Sequence, residues 1–316
     1  MTKKFRIGVD IGGTNVKIAL VDLKGHIVYS NSVPTRAEMG YAYTIENIKT
    51  TIKECLKETK NPIENIIGIG FGLPGQIDSK KGIVKLLPNI PGWVNVPLAE
   101  MIEKEFSVPV KIDNDVRVAT LGELNFGAGK GCQNLICITV GTGVGAGLVV
   151  NGQIVRGASM AAGEIGHLIV EKNNGEICGC GNTGCLEAYA SGPSIVKMAY
   201  DYIMGGKSTK FKELAVNGPI TPYMVYEAAK LGDAVAKRIF LIVGESLGTA
   251  LASVVNLLNP EKIIIGGGVG QAGDLLFDSI RETIDKRALS VSAEAVEIVP
   301  AELGESAGVI GASLLV

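Results

Sequence analysis

The chain opens on an apolar run, Phe5 to Val9, that stops at Asp10. After the turn Ile11-Gly-Gly-Thr-Asn15, the segment Val16–Asp22 alternates apolar and polar positions, which predicts a strand, a glycine turn and a returning antiparallel strand. Residues 44–60 then read as a helix, with Ile45, Ile48, Ile52, Cys55 and Leu56 on one face and Pro62 as the stop. Ile66–Phe71 is a buried strand that runs into Gly-Leu-Pro-Gly75, and Leu86–Pro97 is a Pro/Gly/Asn loop carrying the only tryptophan, Trp93. A short strand at Val108–Ile112 leads into Asp113-Asn114-Asp115 and a helix over Val116–Leu124. In the second half the pattern predicts helices at 192–202, 221–231 and 234–258, the last ended by Asn259-Pro260. A strand at Lys262–Ile265 breaks into Gly-Gly-Gly-Val-Gly; a helix at 274–286, a strand at 296–299 and a small-residue helix at 303–316 follow. That apolar terminal segment is expected to cross back onto the first domain.

The first unit recurs. Ile136–Val155 parallels Ile7–Val28, with Gly12 matching Gly141 and Gly25 matching Gly152, the spacing shortened by two residues. Two copies of one strand-turn-strand unit imply two similar α/β domains around a cleft. The expected division is 1–116 plus 303–316 against 117–302. At 316 residues and 47% hydrophobic content, two cores are affordable, and 42 glycines, close to twice the usual ~7%, imply many close backbone approaches.

Thirty basic and thirty-two acidic residues give a net charge of −2, with no basic tract to track a phosphate backbone, so nucleic acid is not an expected partner. The N-terminus enters a strand pattern at once, without a signal region, and no uninterrupted apolar run reaches spanning length. A cytoplasmic protein with no membrane partner is expected.

The densest chemistry lies between Glu164 and Glu187, where His167, Cys178, Cys180 and Cys185 stand among glycines. Three thiolates and one imidazole complete the tetrahedron of a closed structural Zn²⁺ site. The alternative is a set of buried thiols, although three is an odd number for disulfides. A closed site has no open position, so the metal would brace the loop while Glu164 and Glu187 contact a ligand; both also suit plain backbone bonding. The turn Gly12-Gly13-Thr14 leaves backbone N–H groups uncovered for phosphate oxygens, and Asp10 is placed to hold Mg²⁺ through water. A plain hairpin turn uses the same residues. The second copy, Gly141-Thr142-Gly143, offers a second phosphate turn. Gly266-Gly267-Gly268 at a strand-to-helix junction lets a nucleoside approach the backbone. Asn89 suits a hydroxyl-rich ligand or a turn. One residue of Asp113-Asn114-Asp115 suffices to cap the next helix, which leaves Asn114 and Asp115 for other work, a proton-accepting carboxylate included.

These motifs together, Asp10–Asn15, Asp113–Asp115, Gly141–Gly145, Gly163–His167, Cys178–Glu187 and Gly266–Val269, resemble the ROK family (repressors, open reading frames and sugar kinases) over nearly the whole chain. The resemblance is strongest to its bacterial glucokinases and implies the actin-like ATPase (ribonuclease H-like) fold. It also implies transfer of the ATP γ-phosphoryl group to the 6-hydroxyl of glucose, with Asp115 as general base. Sugar contacts would be Gly75, Asn89, Asn114, Asp115, Glu164, His167 and Glu187. The nucleotide would lie on Asp10, Gly12, Gly13, Thr14, Asn15, Lys17, Gly141, Thr142, Gly143 and Gly266–Gly268. The implied cofactors are ATP, Mg²⁺ at Asp10 and structural Zn²⁺ on His167, Cys178, Cys180 and Cys185; the implied assembly is a homo-oligomer, dimer or tetramer. N-acetylhexosamine, mannose or fructose are alternative acceptors. A repressor of the family would carry a helix-turn-helix before the motif that here already begins at Asp10, and a non-catalytic sensor would lack the carboxylate at 115.

Overall fold

The computed structural model describes residues 4–87, 90–215 and 218–316. Backbone contacts divide it into two units: the chain up to Gly131 with Gln153–Ala162 and Glu302–Val316, and Cys132–Gly152 with Gly163–Ala301. The expected boundary at 116 falls in the first turn of helix Asp115–Phe126, which lies wholly in the first unit.

The first unit begins with β1 (Phe5–Ile11), β2 (Asn15–Asp22) and β3 (Ile27–Pro34), followed by α1 (Gly40–Glu58) and β4 (Ile66–Leu73). Three short strands come next, β5 (Gln76–Asp78), β6 (Ile83–Leu86) and β7 (Val94–Val96), then α2 (Leu98–Phe106), β8 (Val110–Asn114) and α3 (Asp115–Phe126). The main sheet has the order β3-β2-β1-β4-β8, antiparallel through the hairpins and parallel from β1 to β4 to β8. On one face, Ile45, Ile48 and Ile52 of α1 and Ile102 of α2 join Ile7, Val9, Ile11, Ile69 and Phe71 in a core. Against β1, β4 and α3 packs the terminal helix, Ala307–Ser313. Its approach is close enough that a Cβ on Gly8 or Gly70 would lie 1.8 Å from the carbonyl oxygen of Val309 or Ala312. Glycine is required there because backbone cannot yield to a methyl group. The helix is shorter than the expected 303–316, since Gly304–Ser306 forms a 3₁₀ turn before it.

In the second unit β9 (Leu135–Val140) and β10 (Val144–Val150) form a hairpin; the two-residue β11 (Gln153–Ile154) that follows in the chain is grouped with the first unit. A helical stretch follows: α4 (Glu187–Ala190), α5 (Gly192–Met204), α6 (Lys210–Leu214), α7 (Pro222–Lys230) and α8 (Ala234–Leu258). Then come β12 (Lys262–Gly266), α9 (Asp274–Arg287), α10 (Ser290–Ala293) and β13 (Glu297–Pro300). Strands β10-β9-β12-β13 repeat the order of β2-β1-β4-β8, with the same antiparallel hairpin and the same two parallel neighbours. The sequence repeat is therefore a repeat of topology. Side-chain caps start three of these helices: Ser191 for α5, Thr221 for α7 and Asp233 for α8. Among the described residues α8 is the helix long and apolar enough to span a bilayer, yet half of its most apolar window is buried and it packs along α9 as a core element.

Three local differences from the sequence reading have clear causes. Helix α1 starts at Gly40, a turn before the first core residue of its stripe, Thr44. The stretch 86–97 is not loop throughout, because β7 pairs with β6 and Trp93 is fully buried. The strand expected at 108–112 runs to Asn114, so two of the three polar residues after it belong to the sheet.

Candidate functional site

In the first unit the turn between β1 and β2 is closed by the Gly12 N–H donating to the Asn15 carbonyl at 2.9 Å. Thr35 pins it from β3's end, donating through Oγ1 to the Gly12 carbonyl at 2.7 Å. Gly13, Thr14 and Asn15 are exposed, and a Cβ on Gly13 would meet nothing, so the backbone there is open to an incoming anion. Asp10 is the next-to-last residue of β1, beside this turn. Burial pushes its carboxyl up to about 6, the nearby Asp115 adds to the rise, and Lys17 pulls against it. The terminal helix presses on the same carboxylate, since a Cβ on Gly308 would lie 2.2 Å from its Oδ2. Lys17, opposite Asp10 in the register, sends its Nζ to Glu305 at 2.7 Å.

The corner between β8 and α3 carries the Asp-Asn-Asp motif. Asn114 is the cap: its Oδ1 accepts from the N–H of Val116 at 3.1 Å and of Arg117 at 3.3 Å. Asp113, fully buried, is not a cap but a post. Its Oδ1 accepts from Arg117 Nε at 2.7 Å, Ser79 Oγ at 2.9 Å and the Asn114 N–H at 2.8 Å. Its Oδ2 accepts from Arg156 Nε at 2.7 Å. Arg117 also donates to the Met160 carbonyl at 3.1 Å, so the segment leading to Glu164 is tied at both 156 and 160. Asp115 opens α3, half-buried, its Oδ1 accepting its own helix's Val116 N–H at 2.9 Å. Gly75 turns the chain between β4 and β5 in a left-handed conformation, φ 89°. Asn89 lies outside the described residues.

In the second unit the counterpart turn, Gly141-Thr142-Gly143, borders a cavity of about 960 Å³. Its walls include Gly268 and Val269, the aromatic side chains of Tyr223, Tyr226 and Phe240, and the Glu227–Lys230 ion pair. The Lys230 ammonium lies 5.2 Å from the centre of the Tyr226 ring. The three glycines divide: Gly266 ends β12, Gly267 holds φ 84° with its backbone against Val140, and Gly268 faces the cavity. Tyr223, Tyr226, Glu227, Lys230 and Gln271 were not singled out from the sequence; Thr221-Pro222 reads there only as a helix start.

The ligating atoms of His167, Cys178, Cys180 and Cys185 all lie within 4.8 Å of one another. Cys180 Sγ and Cys185 Sγ are 3.8 Å apart, as are Cys178 Sγ and His167 Nδ1. A tetrahedral ion with Zn–S bonds near 2.3 Å separates its sulfurs by about 3.8 Å, so the donor set fits Zn²⁺ in kind and spacing. Burial pushes the Cys185 thiol up to about 12, and the neighbouring sulfurs add to the rise. A dication in their midst inverts that balance. Glu164 and His167 are exposed at the ends of a 3₁₀ turn, while the half-buried Glu187 begins α4 and accepts a hydrogen bond from the Val144 N–H.

A family model described as the ROK family matches residues 6–316. A glucokinase of Halalkalibacterium halodurans is 40% identical over 317 aligned residues, spanning 100% of this chain and 96% of that protein. A ROK family glucokinase from Streptomyces griseus, solved with glucose and AMPPNP, superposes with a TM-score of 0.82 at 33% identity, covering 98% of both chains. A ROK family transcriptional regulator, homolog of the Escherichia coli MLC protein, superposes with a TM-score of 0.89 at 30% identity, covering 98% of this chain and 77% of that one. The expected actin-like ATPase fold is the fold of these sugar kinases and of this chain.

Proposed function

The chain belongs to the ROK family, and from that premise we propose that it is an ATP-dependent hexose kinase acting on the 6-hydroxyl of glucose. The observation that carries the reading is the second glycine turn, which opens onto a nucleoside-sized cavity lined by aromatic rings. Purine and ribose occupy that cavity against Tyr223, Tyr226 and Gly268. The phosphates lie on the backbone N–H groups of Gly12–Thr14 and Gly141–Gly143, with Asn15 and Lys17 beside the first turn. Asp115 takes the proton of the sugar hydroxyl as the phosphoryl group transfers, helped by a helix start that fixes its backbone. Gly75, Asn89, Asn114, Glu164, His167 and Glu187 orient the sugar. Asp10 would hold Mg²⁺ through water, where the ion would neutralise phosphate charge, and His167, Cys178, Cys180 and Cys185 would hold Zn²⁺, which would fix the loop bearing the sugar contacts. The working protein is a cytoplasmic homo-oligomer in this reading.

A coupled assay with ATP across glucose, mannose, fructose and N-acetylhexosamines tests it. Turnover with glucose at the highest kcat/KM is expected. A second reading, a sugar-responsive regulator, is favoured by the likeness to the MLC homolog. Glucose binding without any hexose-dependent ATP turnover would select it.

A further inference from the structure

Glu187 is the first residue of α4 and lies two positions after Cys185. On one side it is joined to the four-donor loop. The Leu186 N–H donates to the Leu168 carbonyl at 2.8 Å, one residue past His167, and Cys185 bridges to Ile169. On the other side it reaches the glycine turn. Its Oε2 accepts the Val144 N–H at 3.0 Å, where β10 leaves Gly141-Thr142-Gly143. A Cβ built on Gly143 would lie 2.6 Å from that same oxygen, so the carboxylate fits because position 143 has no side chain. The peptide after α4 closes the contact, with the Gly192 N–H donating to the Gly141 carbonyl at 2.7 Å and Ser194 Oγ donating to the Glu187 carbonyl at 2.8 Å.

We propose that Glu187 is a positioning residue for the nucleotide, holding the Gly141–Val144 backbone in the shape that receives phosphate. The inference rests on the kinase reading, which assigns Glu187 to the sugar, and it deepens that reading by giving the two carboxylate oxygens different tasks. Oε2 serves the turn, and Oε1 is left for a hydroxyl. A carboxylate near a phosphate is unfavourable unless its charge is met by fixed donors, and the Val144 N–H meets it here. Holding the turn before the ligand arrives lowers the ordering cost of binding. Sugar and nucleotide then meet at one side chain, which makes their affinities reciprocally coupled.

The test is calorimetric titration of the whole protein with a non-hydrolysable ATP analogue and Mg²⁺ in the absence of any sugar. Glu187→Gln keeps an oxygen at the same reach and is expected to bind within about twofold of wild type. Glu187→Asp keeps the charge but withdraws it by one methylene, and Glu187→Ala removes it; both are expected to weaken nucleotide binding roughly tenfold. Amide exchange at Val144 should quicken in the Asp and Ala variants alone. A side chain that only contacts sugar would move none of these readings, so wild-type nucleotide affinity in the Asp and Ala variants overturns the proposal, as does a Gln variant as weak as Ala. If the Ala variant does not fold, Asp and Gln decide the question. Failure of the wild type itself to bind the analogue counts instead against the kinase reading.

Discussion

Two carboxylates two positions apart on this chain have opposite surroundings. Asp113 is sealed from solvent between two guanidinium groups, whereas Asp115 is half-buried at a helix start and close enough to raise the proton affinity of Asp10. Asp113→Ala leaves Arg117 and Arg156 without their counter-charge and is expected to cost about 3–5 kcal/mol, read as a lowered urea midpoint. Asp115→Asn keeps the shape, so stability should hold while kcat for the sugar falls by roughly 10²–10⁴ with sugar affinity changed little; near-normal turnover would remove Asp115 as base. Asp10 titrates against folding. Its folded carboxyl keeps a proton up to about pH 6, while the unfolded one releases it near pH 3.8, so folding loses stability as pH rises through that window and no more above it. The loss is at most about 3 kcal/mol. Asp10→Asn, with no nucleotide or Mg²⁺ present, should therefore be more stable than wild type at about pH 7.5 and show no such advantage at about pH 3.5, by urea denaturation.

Among the elements, the loop from His167 to Glu187 has little regular structure of its own and depends on cross-links: two isolated bridges, the Tyr189 hydroxyl accepting the Glu176 N–H at 2.7 Å, and the donor set around Cys185. Cys180→Ser should lower bound zinc well below one ion per chain by metal analysis and speed tryptic cleavage at the exposed Lys172, both without reference to turnover. Long elements were readable from sequence because their side chains report one neighbour at a fixed period: the expected bounds of α8 are those observed, and β1, β4, α9 and the glycine hairpins stand where the pattern puts them. The short strands β5, β6 and β7 escaped because three or four residues are too few to show alternation. Asn114 as cap and Asp113 as post escaped for another reason. The strand runs two residues further than its apolar run, and Arg156 meets Asp113 across 43 positions, a distance no local pattern carries. Likewise, the convergence of His167 with the three cysteines was visible as a cluster of donors, but the cavity beside Gly141 is assembled from α5, α7 and the turn after β12, whose residues individually look like helix surface.

At the level of the whole molecule, the two units differ in how the chain supplies them. Residues 163–301 form most of the second unit in one continuous stretch, while the first is completed by a helix from the far end of the sequence. A chain ending before Gly304 should keep the second unit and lose the cooperative unfolding transition of the first; two resolved transitions in wild type collapsing to one in the truncated chain would be the signature in calorimetry. An intact first transition in that chain would show the terminal helix to be dispensable.

That wedge of Val309 and Ala312 against Gly8 and Gly70 also bears on biosynthesis. A ribosome releases β1 long before it makes the helix that covers it, so the usual order of maturation from the amino end is reversed here. The half translated first waits with one sheet face uncovered until that helix is made, and in that interval its apolar surface is open to misassociation.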